Sequence, residues 1–209
     1  MLAYVKDPAE IYRLSFETIR REARLDRLPA DIAPLALRLI HACGMPDILD
    51  DLAFSDDVAA AGRDAIAKGA AILCDTAMTA AGIIRRQLPA GCEVLAGTEN
   101  PAGASKAAEI GNTRSAAAID LWGERLDGAV VAIGNAPTAL FRLIERIDLD
   151  GYRPAAILAF PVGFVGAVES KALLIEAGLG IPYIALRGRR GGSALAAAAV
   201  NALLPQTEP

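Results

Sequence analysis

The stretch AVVAIGNAPTALFRLIERI, residues 129–147, shows the unit from which the fold is built. It begins with a continuous apolar run, which is typical of a strand buried on both faces of a parallel sheet. A Gly-Asn turn follows, and Pro137 then begins a segment with helical periodicity, where its missing N–H costs no hydrogen bond. We therefore predict a strand over 129–135, a tight turn and a helix over 137–147.

The same alternation extends along the chain in both directions from this unit. Four further apolar runs predict strands at residues 71–75, 92–97, 155–160 and 182–188. Segments of helical length and period lie at residues 78–87, 103–124, 166–177 and 192–204. This rhythm predicts an α/β fold with a mostly parallel sheet of about five strands covered by helices.

The residues before this part predict helices only. Their periodicity favours helices over 8–27, 31–43 and 56–68. A linker rich in Ser or Gly is missing between residues 1–67 and 68–209. We therefore expect one domain over 1–209, with a helical N-terminal segment and a βα-repeating remainder.

Composition and motifs exclude several classes of protein. The net charge of −4 argues against nucleic acid as a partner, because phosphate binding usually needs a basic face. The first 25 residues carry charges every few positions, so we expect neither a signal peptide nor a membrane span there. We therefore expect the protein to be cytoplasmic. Dinucleotide, P-loop and metal-ligand spacings are missing from the sequence, so we expect no cofactor and no bound metal.

Polar and glycine-rich loops follow the predicted strands, and in such sheets ligands bind outside the carboxyl ends of the strands. The turn at residues 134–138 would present backbone N–H groups at a helix start, where an anion can bind. In the GRRGGS loop, 188–193, Arg189 could bind a carboxylate or phosphate. A tight turn with two solvated arginines explains that loop equally well. The loops that would converge on one crevice are 75–79, 97–100, 134–135, 160–164 and 188–193.

Two side chains outside these turns are further candidates. His41 is the one histidine of the chain, and histidine is the side chain whose ordinary pKa permits proton exchange near neutral pH. A histidine at a helix end also commonly interacts only with nearby carbonyls, which is the alternative here. Arg114 interrupts an alanine-rich helix and could reach across a crevice, although a surface arginine covering alanines is the ordinary explanation.

Several longer segments resemble the precorrin-8X methylmutase family. They occur in the family's order and run through nearly the whole chain. GNAPTAL and PVGFVGAVESK are long enough to make the match specific. The matching segments are LIHACGMPDI (39–48), CDTAMTAAGI (74–83), IGNAPTALF (133–141), FPVGFVGAVESK (160–171) and GRRGGSALAAAAVNAL (188–203).

This resemblance implies a three-layer α/β/α sandwich and a homodimer with its substrate crevice at or near the subunit interface. The reaction it implies is a [1,5]-sigmatropic shift of a methyl group from C11 to C12 of precorrin-8X, giving hydrogenobyrinic acid in cobalamin biosynthesis. His41 resembles the family's proton donor, and Ser15 and Arg114 resemble its substrate contacts. Thr79 is added as a contact, although the family commonly has an apolar residue after the Met.

Three other functions remain open at this point. The same crevice could serve a tetrapyrrole carrier without catalysis, or the cobalt-containing version of the methyl shift, from cobalt-precorrin-8 to cobyrinic acid. The βα rhythm alone is also compatible with a generic nucleotide-binding domain. An enzyme of this kind could hand its product to the next enzyme of the pathway.

Overall fold

The computed structural model describes residue 2 and residues 4–205, in which nine α-helices surround a six-stranded sheet. Short 3-10 turns join several of these elements. Within this described part, no helix combines the length and the apolar character that a membrane crossing requires. The elements in chain order are α1 (Pro8–Glu22), α2 (Ala33–Cys43), β1 (Leu52–Phe54), α3 (Val58–Ala67), β2 (Ile72–Cys74), α4 (Ala77–Ala81), β3 (Val94–Ala96), α5 (Gly103–Glu109), α6 (Arg114–Trp122), β4 (Val130–Ile133), α7 (Pro137–Asp150), β5 (Ala156–Ala159), α8 (Ala167–Glu176), β6 (Tyr183–Leu186) and α9 (Ser193–Leu203).

The strand order of the sheet is β1-β6-β5-β4-β2-β3. The strands from β6 to β3 pair in parallel and lie at the five predicted positions, which confirms the predicted α/β fold. The edge strand β1 pairs antiparallel with β6, with Leu52 opposite Leu186 and Phe54 opposite Ile184. The prediction that residues 1–67 form only helices is therefore wrong at β1, because three residues are too few to show a strand's period of two.

Three predicted helices are shorter or divided in the structure, and the one predicted over 8–27 ends at Glu22 and is followed by a 3-10 turn at Leu25–Arg27. The segment predicted as one helix over 103–124 forms α5 and α6, separated by a turn at Gly111, whose φ is +60°. Thr113 then caps α6 by accepting a hydrogen bond from the N–H of Ala116 at 3.1 Å. The helix predicted over 78–87 ends at Ala81. At Gly82 a Cβ would lie 2.6 Å from the side chain of Ala197.

Helices cover both faces of the sheet, which makes the three layers of an α/β/α sandwich. Side chains along each strand alternate between the faces, so Val130 and Ala132 belong to one core while Val131 and Ile133 belong to the other. The first core includes residues of α2, α3 and α9, and the second includes residues of α6, α7 and α8. Burial on both faces explains why the strands read as continuous apolar runs.

The N-terminal helices form an additional layer outside α9. The apolar helix α9 packs against the sheet and against α2, and α1 packs on α2. Ile19 of α1, Leu35 of α2 and Val200 of α9 belong to the same core cluster as the strands of that face. The helical segment and the βα-repeating part thus share one hydrophobic core.

The strand order reverses between β2 and β4. From β2 the chain passes to β3 on one side, and from β4 it passes to β5 and β6 on the other. The loops that leave β2 and β4 therefore diverge, and a crevice at the carboxyl ends of these two strands is where ligands commonly bind in such sheets.

Candidate functional site

Asp75 occupies the point where the strand order reverses. It follows β2 directly and is fully buried. Its carboxylate accepts hydrogen bonds from the backbone N–H groups of Gly134 at 3.0 Å, Asn135 at 2.8 Å and Ala136 at 2.8 Å. The prediction that the N–H groups of this turn are available to an anion is therefore wrong for these three residues, because a carboxylate of the chain itself already binds them.

Thr79 belongs to the same buried network. Its hydroxyl donates to Asp75 Oδ1 at 3.0 Å and lies 3.1 Å from Ser193 Oγ, the first residue of α9. Gly134 must lack a side chain here, because a Cβ would lie 2.6 Å from Thr79 Oγ1. Thr79 is fully buried, so the structure places it beneath the crevice rather than on its surface. A direct contact with a ligand remains a prediction that this arrangement does not favour.

His41 and Ser15 lie together although 26 residues separate them. His41 is in the last turn of α2, which ends at Gly44 in the left-handed conformation. Ser15 projects from α1, and its Oγ is 2.8 Å from His41 Nδ1. Tyr12 and Phe16 of α1 contact the imidazole edge-on, with ring centroids 5.5 and 5.1 Å away. These contacts fix the plane of the imidazole against α1.

An open cleft of about 460 Å³ lies beside this pair. His41 and Ser15 line it together with apolar side chains of the N-terminal segment, among them Val5, Ile11 and Leu14. Because Ser15 binds Nδ1, Nε2 is the ring nitrogen left for a ligand in the cleft. The arrangement can hold a flat apolar ligand next to a group that exchanges a proton.

Two features of the site lower the pKa of His41. Partial burial against the neighbouring helix disfavours the charged imidazolium, and the positive charge of Arg38, one turn earlier in α2, acts in the same direction. The pKa therefore lies below its ordinary value of 6.5 in the unliganded protein. A bound anionic ligand would raise the pKa again, because a nearby negative charge stabilises the imidazolium.

Arg114 and Arg189 lie at the carboxyl edge of the sheet, on opposite sides of the crevice. Arg114, exposed at the start of α6, donates from Nη2 to the carbonyl of Thr98 after β3, at 3.0 Å. Arg189, exposed in the loop after β6, lies with its guanidinium carbon 5.3 Å from the ring centroid of Phe164. Four strand spacings separate β3 from β6, which is about 19 Å. The two arginines therefore suit a wide ligand that carries several anionic groups.

Arg190 connects this edge of the sheet to the helix that carries His41. Its guanidinium pairs with Asp47 at 2.6 Å and Asp51 at 2.5 Å, both in the turn segment Pro46–Asp51 that follows α2. The last turn of α2 is thereby held at the carboxyl ends of the strands. Sequence reasoning selected Arg189 and missed Arg190, because its partners lie 143 and 139 residues away and no local spacing connects them.

Comparisons with known proteins agree with the resemblance seen in the sequence. A family model described as precorrin-8X methylmutase matches residues 10–206. The precorrin-8X methylmutase of Pseudomonas aeruginosa is 56% identical over 208 residues, which cover all of both chains. The cobalt-precorrin-8 methylmutase of Salmonella typhimurium is 39% identical over 209 residues, covering 96% of each chain.

A solved structure has the same fold. It is the precorrin-8X methylmutase of Thermus thermophilus, which superposes with a TM-score of 0.84 at 38% sequence identity. The match covers 93% of each chain. At this identity and coverage the likeness extends over most of the chain.

Proposed function

The chain belongs to the precorrin-8X methylmutase family, and from this premise we propose that His41 donates the proton that assists its methyl shift. The enzyme is an isomerase of cobalamin biosynthesis that moves a methyl group within one molecule. We propose that the methyl group moves from C11 to C12 of precorrin-8X and that the product is hydrogenobyrinic acid. The observation that carries the role of His41 is its hydrogen bond to Ser15 beside an open apolar cleft.

A sigmatropic shift places modest demands on the protein. The migrating group stays on the ring system, so the reaction uses no nucleophilic side chain and no hydride. Protonation of a ring nitrogen makes the carbon that receives the methyl group more electron-poor, which lowers the barrier. General acid catalysis of this kind contributes about 10²- to 10⁴-fold to the rate, and one positioned acid is sufficient.

The contacts of His41 suit this role. In the imidazolium both ring nitrogens carry protons, and Ser15 accepts the one on Nδ1. This contact orients the ring so that the Nε2 proton is the one available to the substrate. The acetate and propionate arms of the substrate add negative charge near the site, which raises the pKa of His41 in the complex. Substrate binding therefore favours the protonated form of His41, which is the form that donates the proton.

We further propose that Arg114 and Arg189 bind carboxylate arms of the substrate. Both guanidinium groups are exposed at the crevice edge, and paired hydrogen bonds from arginine match a carboxylate. Asp75 already occupies the N–H groups at the start of α7, so the anionic arms depend on the arginines instead. Thr79 acts here through Asp75 and Ser193, to which it is hydrogen-bonded.

We propose that the chain folds as one domain, works in the cytoplasm and forms a homodimer. Phe164 and Val165, in the loop after β5, are 85% and 89% exposed, and Tyr4 near α1 is 69% exposed. Apolar side chains exposed to this degree beside a binding crevice are typical of a surface that another subunit covers. Such an interface would enclose the substrate between the two subunits. We also propose that the product passes to the next enzyme of the pathway. Sedimentation as a monomer at micromolar concentration would contradict the dimer.

The metal-free substrate is favoured over the cobalt-containing one. The relative that is 56% identical is named for precorrin-8X, whereas the one named for cobalt-precorrin-8 is 39% identical. We therefore expect a higher kcat/KM with precorrin-8X than with cobalt-precorrin-8 when both are assayed under the same conditions. Reversed values would assign the chain to the cobalt branch, and equal values would refute a preference for the metal-free substrate.

A multiple-turnover assay with precorrin-8X tests the function. The shift changes the conjugation of the macrocycle, so its absorption spectrum reports conversion. We expect many equivalents of product per subunit from the wild type, whereas a carrier would stop at one. We expect His41→Ala to lose about 10²-fold or more in kcat and to keep tetrapyrrole binding. Full activity in this variant would remove His41 from the mechanism.

A further inference from the structure

Lys171 is a fully buried lysine under the loops that follow β5 and β6, and its burial lowers the pKa of the ammonium group to about 8. It lies in α8 with 0% of its surface exposed. Its Nζ donates to the carbonyl of Pro161 at 3.0 Å and to the carbonyl of Arg190 at 2.8 Å. Lysine is almost never fully buried without partners, because removing an ammonium group from water costs free energy. A cation kept in this position therefore indicates that its two hydrogen bonds matter.

These two bonds tie α8 to two loops, one of which carries the proposed site residue Arg189. Pro161 belongs to residues 160–166, which connect β5 to α8, and Arg190 belongs to residues 187–192, which connect β6 to α9. The loops also touch directly, because Gly192 N–H donates to the carbonyl of Phe160 at 2.8 Å. At Gly191 a Cβ would lie 2.3 Å from that same carbonyl oxygen, so any larger residue would separate the loops.

The connection continues from Arg190 to the helix of the proposed acid. The carbonyl of Arg190 accepts from Lys171, and its guanidinium pairs with Asp47 and Asp51 just after α2. One residue therefore links the buried ammonium to the segment that follows His41. Its neighbour Arg189 is an exposed arginine of the same loop.

We propose that Lys171 is a positioning residue that holds the loops after β5 and β6 together, and so places Arg189 for binding of a carboxylate arm. The proposal rests on the proposed function, because its effect is read in the binding of a polycarboxylated tetrapyrrole. Lys171 itself is buried and touches no substrate. It acts through the backbone of Pro161 and Arg190.

The first test is Lys171→Met, which keeps the unbranched apolar stem of the side chain and removes the ammonium. We expect KM for precorrin-8X and Kd for hydrogenobyrinic acid to rise about tenfold, with kcat within about threefold of the wild type. The matched control is Lys68→Met, which makes the same change at an exposed lysine before β2, at the opposite edge of the sheet. We expect the control to keep the wild-type KM and Kd.

A double-mutant cycle with Arg189→Ala separates positioning from a general loss of structure. If Lys171 acts through Arg189, Lys171→Met raises Kd much less in the Arg189→Ala background than in the wild type. The proposal is overturned if Lys171→Met raises Kd as much in the Arg189→Ala background as in the wild type. It is also overturned if KM is unchanged in Lys171→Met. Should Lys171→Met fail to fold by circular dichroism, Lys171→Gln, which keeps an N–H donor on a shorter side chain, takes its place. We then expect a smaller rise in Kd that shrinks further in the Arg189→Ala background, and a rise of the same size in that background would overturn the proposal. A wild type without turnover would instead refute the proposed function.

Discussion

The cleft beside His41 and the network around Asp75 both gather polar side chains near the carboxyl ends of the strands. Around Asp75, three backbone N–H groups and one hydroxyl of the protein donate hydrogen bonds to the carboxylate. Beside His41, one ring nitrogen is bound by Ser15 and the ring itself lines an open cleft. The difference shows which polar groups hold the fold and which remain available for chemistry.

The largest effect is expected for Asp75→Ala, which tests whether the network around Asp75 stabilises the fold. The substitution leaves the N–H groups of Gly134, Asn135 and Ala136 without their acceptor, and an unpaired buried group costs about 1 to 3 kcal/mol. Because Asn135 is partly exposed, we expect the free energy of unfolding to fall by about 2 to 5 kcal/mol in urea titrations. Asp148→Ala, at an exposed position of α7, serves as the control and should change it by less than about 0.5 kcal/mol. If Asp75→Ala and Asp148→Ala have a similar free energy of unfolding, the network does not stabilise the fold.

A smaller effect is expected for Ser15→Ala, which tests the hydrogen bond to His41 beside the open cleft. Removing the hydroxyl leaves the imidazole held only by its ring contacts, and one hydrogen bond contributes about 1 kcal/mol. In the spectral assay we expect kcat to fall about fivefold with KM unchanged, and in urea titrations we expect the free energy of unfolding to fall by no more than about 1 kcal/mol. Ser105→Ala removes a hydroxyl that bonds only within its own helical turn and should leave kcat unchanged. A rise in KM instead of a fall in kcat would make Ser15 a binding residue.

The smallest effect concerns the pH dependence of the acid. The rate needs protonated His41, so kcat/KM falls as the pH rises through its pKa, which lies below 6.5 in the free enzyme. Arg38→Gln removes a positive charge that lowers this pKa, so the falling limb should move to higher pH. The measurement is kcat/KM across the range from about pH 5 to pH 8. Arg125→Gln, at the opposite edge of the sheet, should leave the limb in place, and a shift in Arg38→Gln to lower pH would contradict the assignment.

The sequence predicts the sheet better than its surroundings. Strands buried on both faces, such as β4 and β5, show continuous apolar runs that can be recognised from the local sequence alone. The edge strand β1 depends on its pairing with β6, which the local sequence does not contain. The division between α5 and α6 depends on the turn at Gly111, which interrupts a segment that is otherwise helical in period.

The candidate site shows the same limit. The pairing of Ser15 with His41 joins two helices, so no spacing within either helix predicts it. The resemblance to the family indicated both residues as site residues but not their contact with each other. Lys171 reads as an ordinary helix residue in α8, because its burial results from the loops that fold over it. Asp75 could have been suspected from its position between a buried strand and a helix, but its partners lie about 60 residues further along the chain.

The carboxylate at the start of α7 also decides which cofactors the scaffold can accept. Nucleotide-binding members of doubly wound folds gain affinity when a phosphate group meets free amides and the positive end of a helix dipole. In this chain an approaching phosphate would meet the negative charge of Asp75 instead. We therefore expect ATP and NAD to bind poorly at the position where comparable sheets attract them.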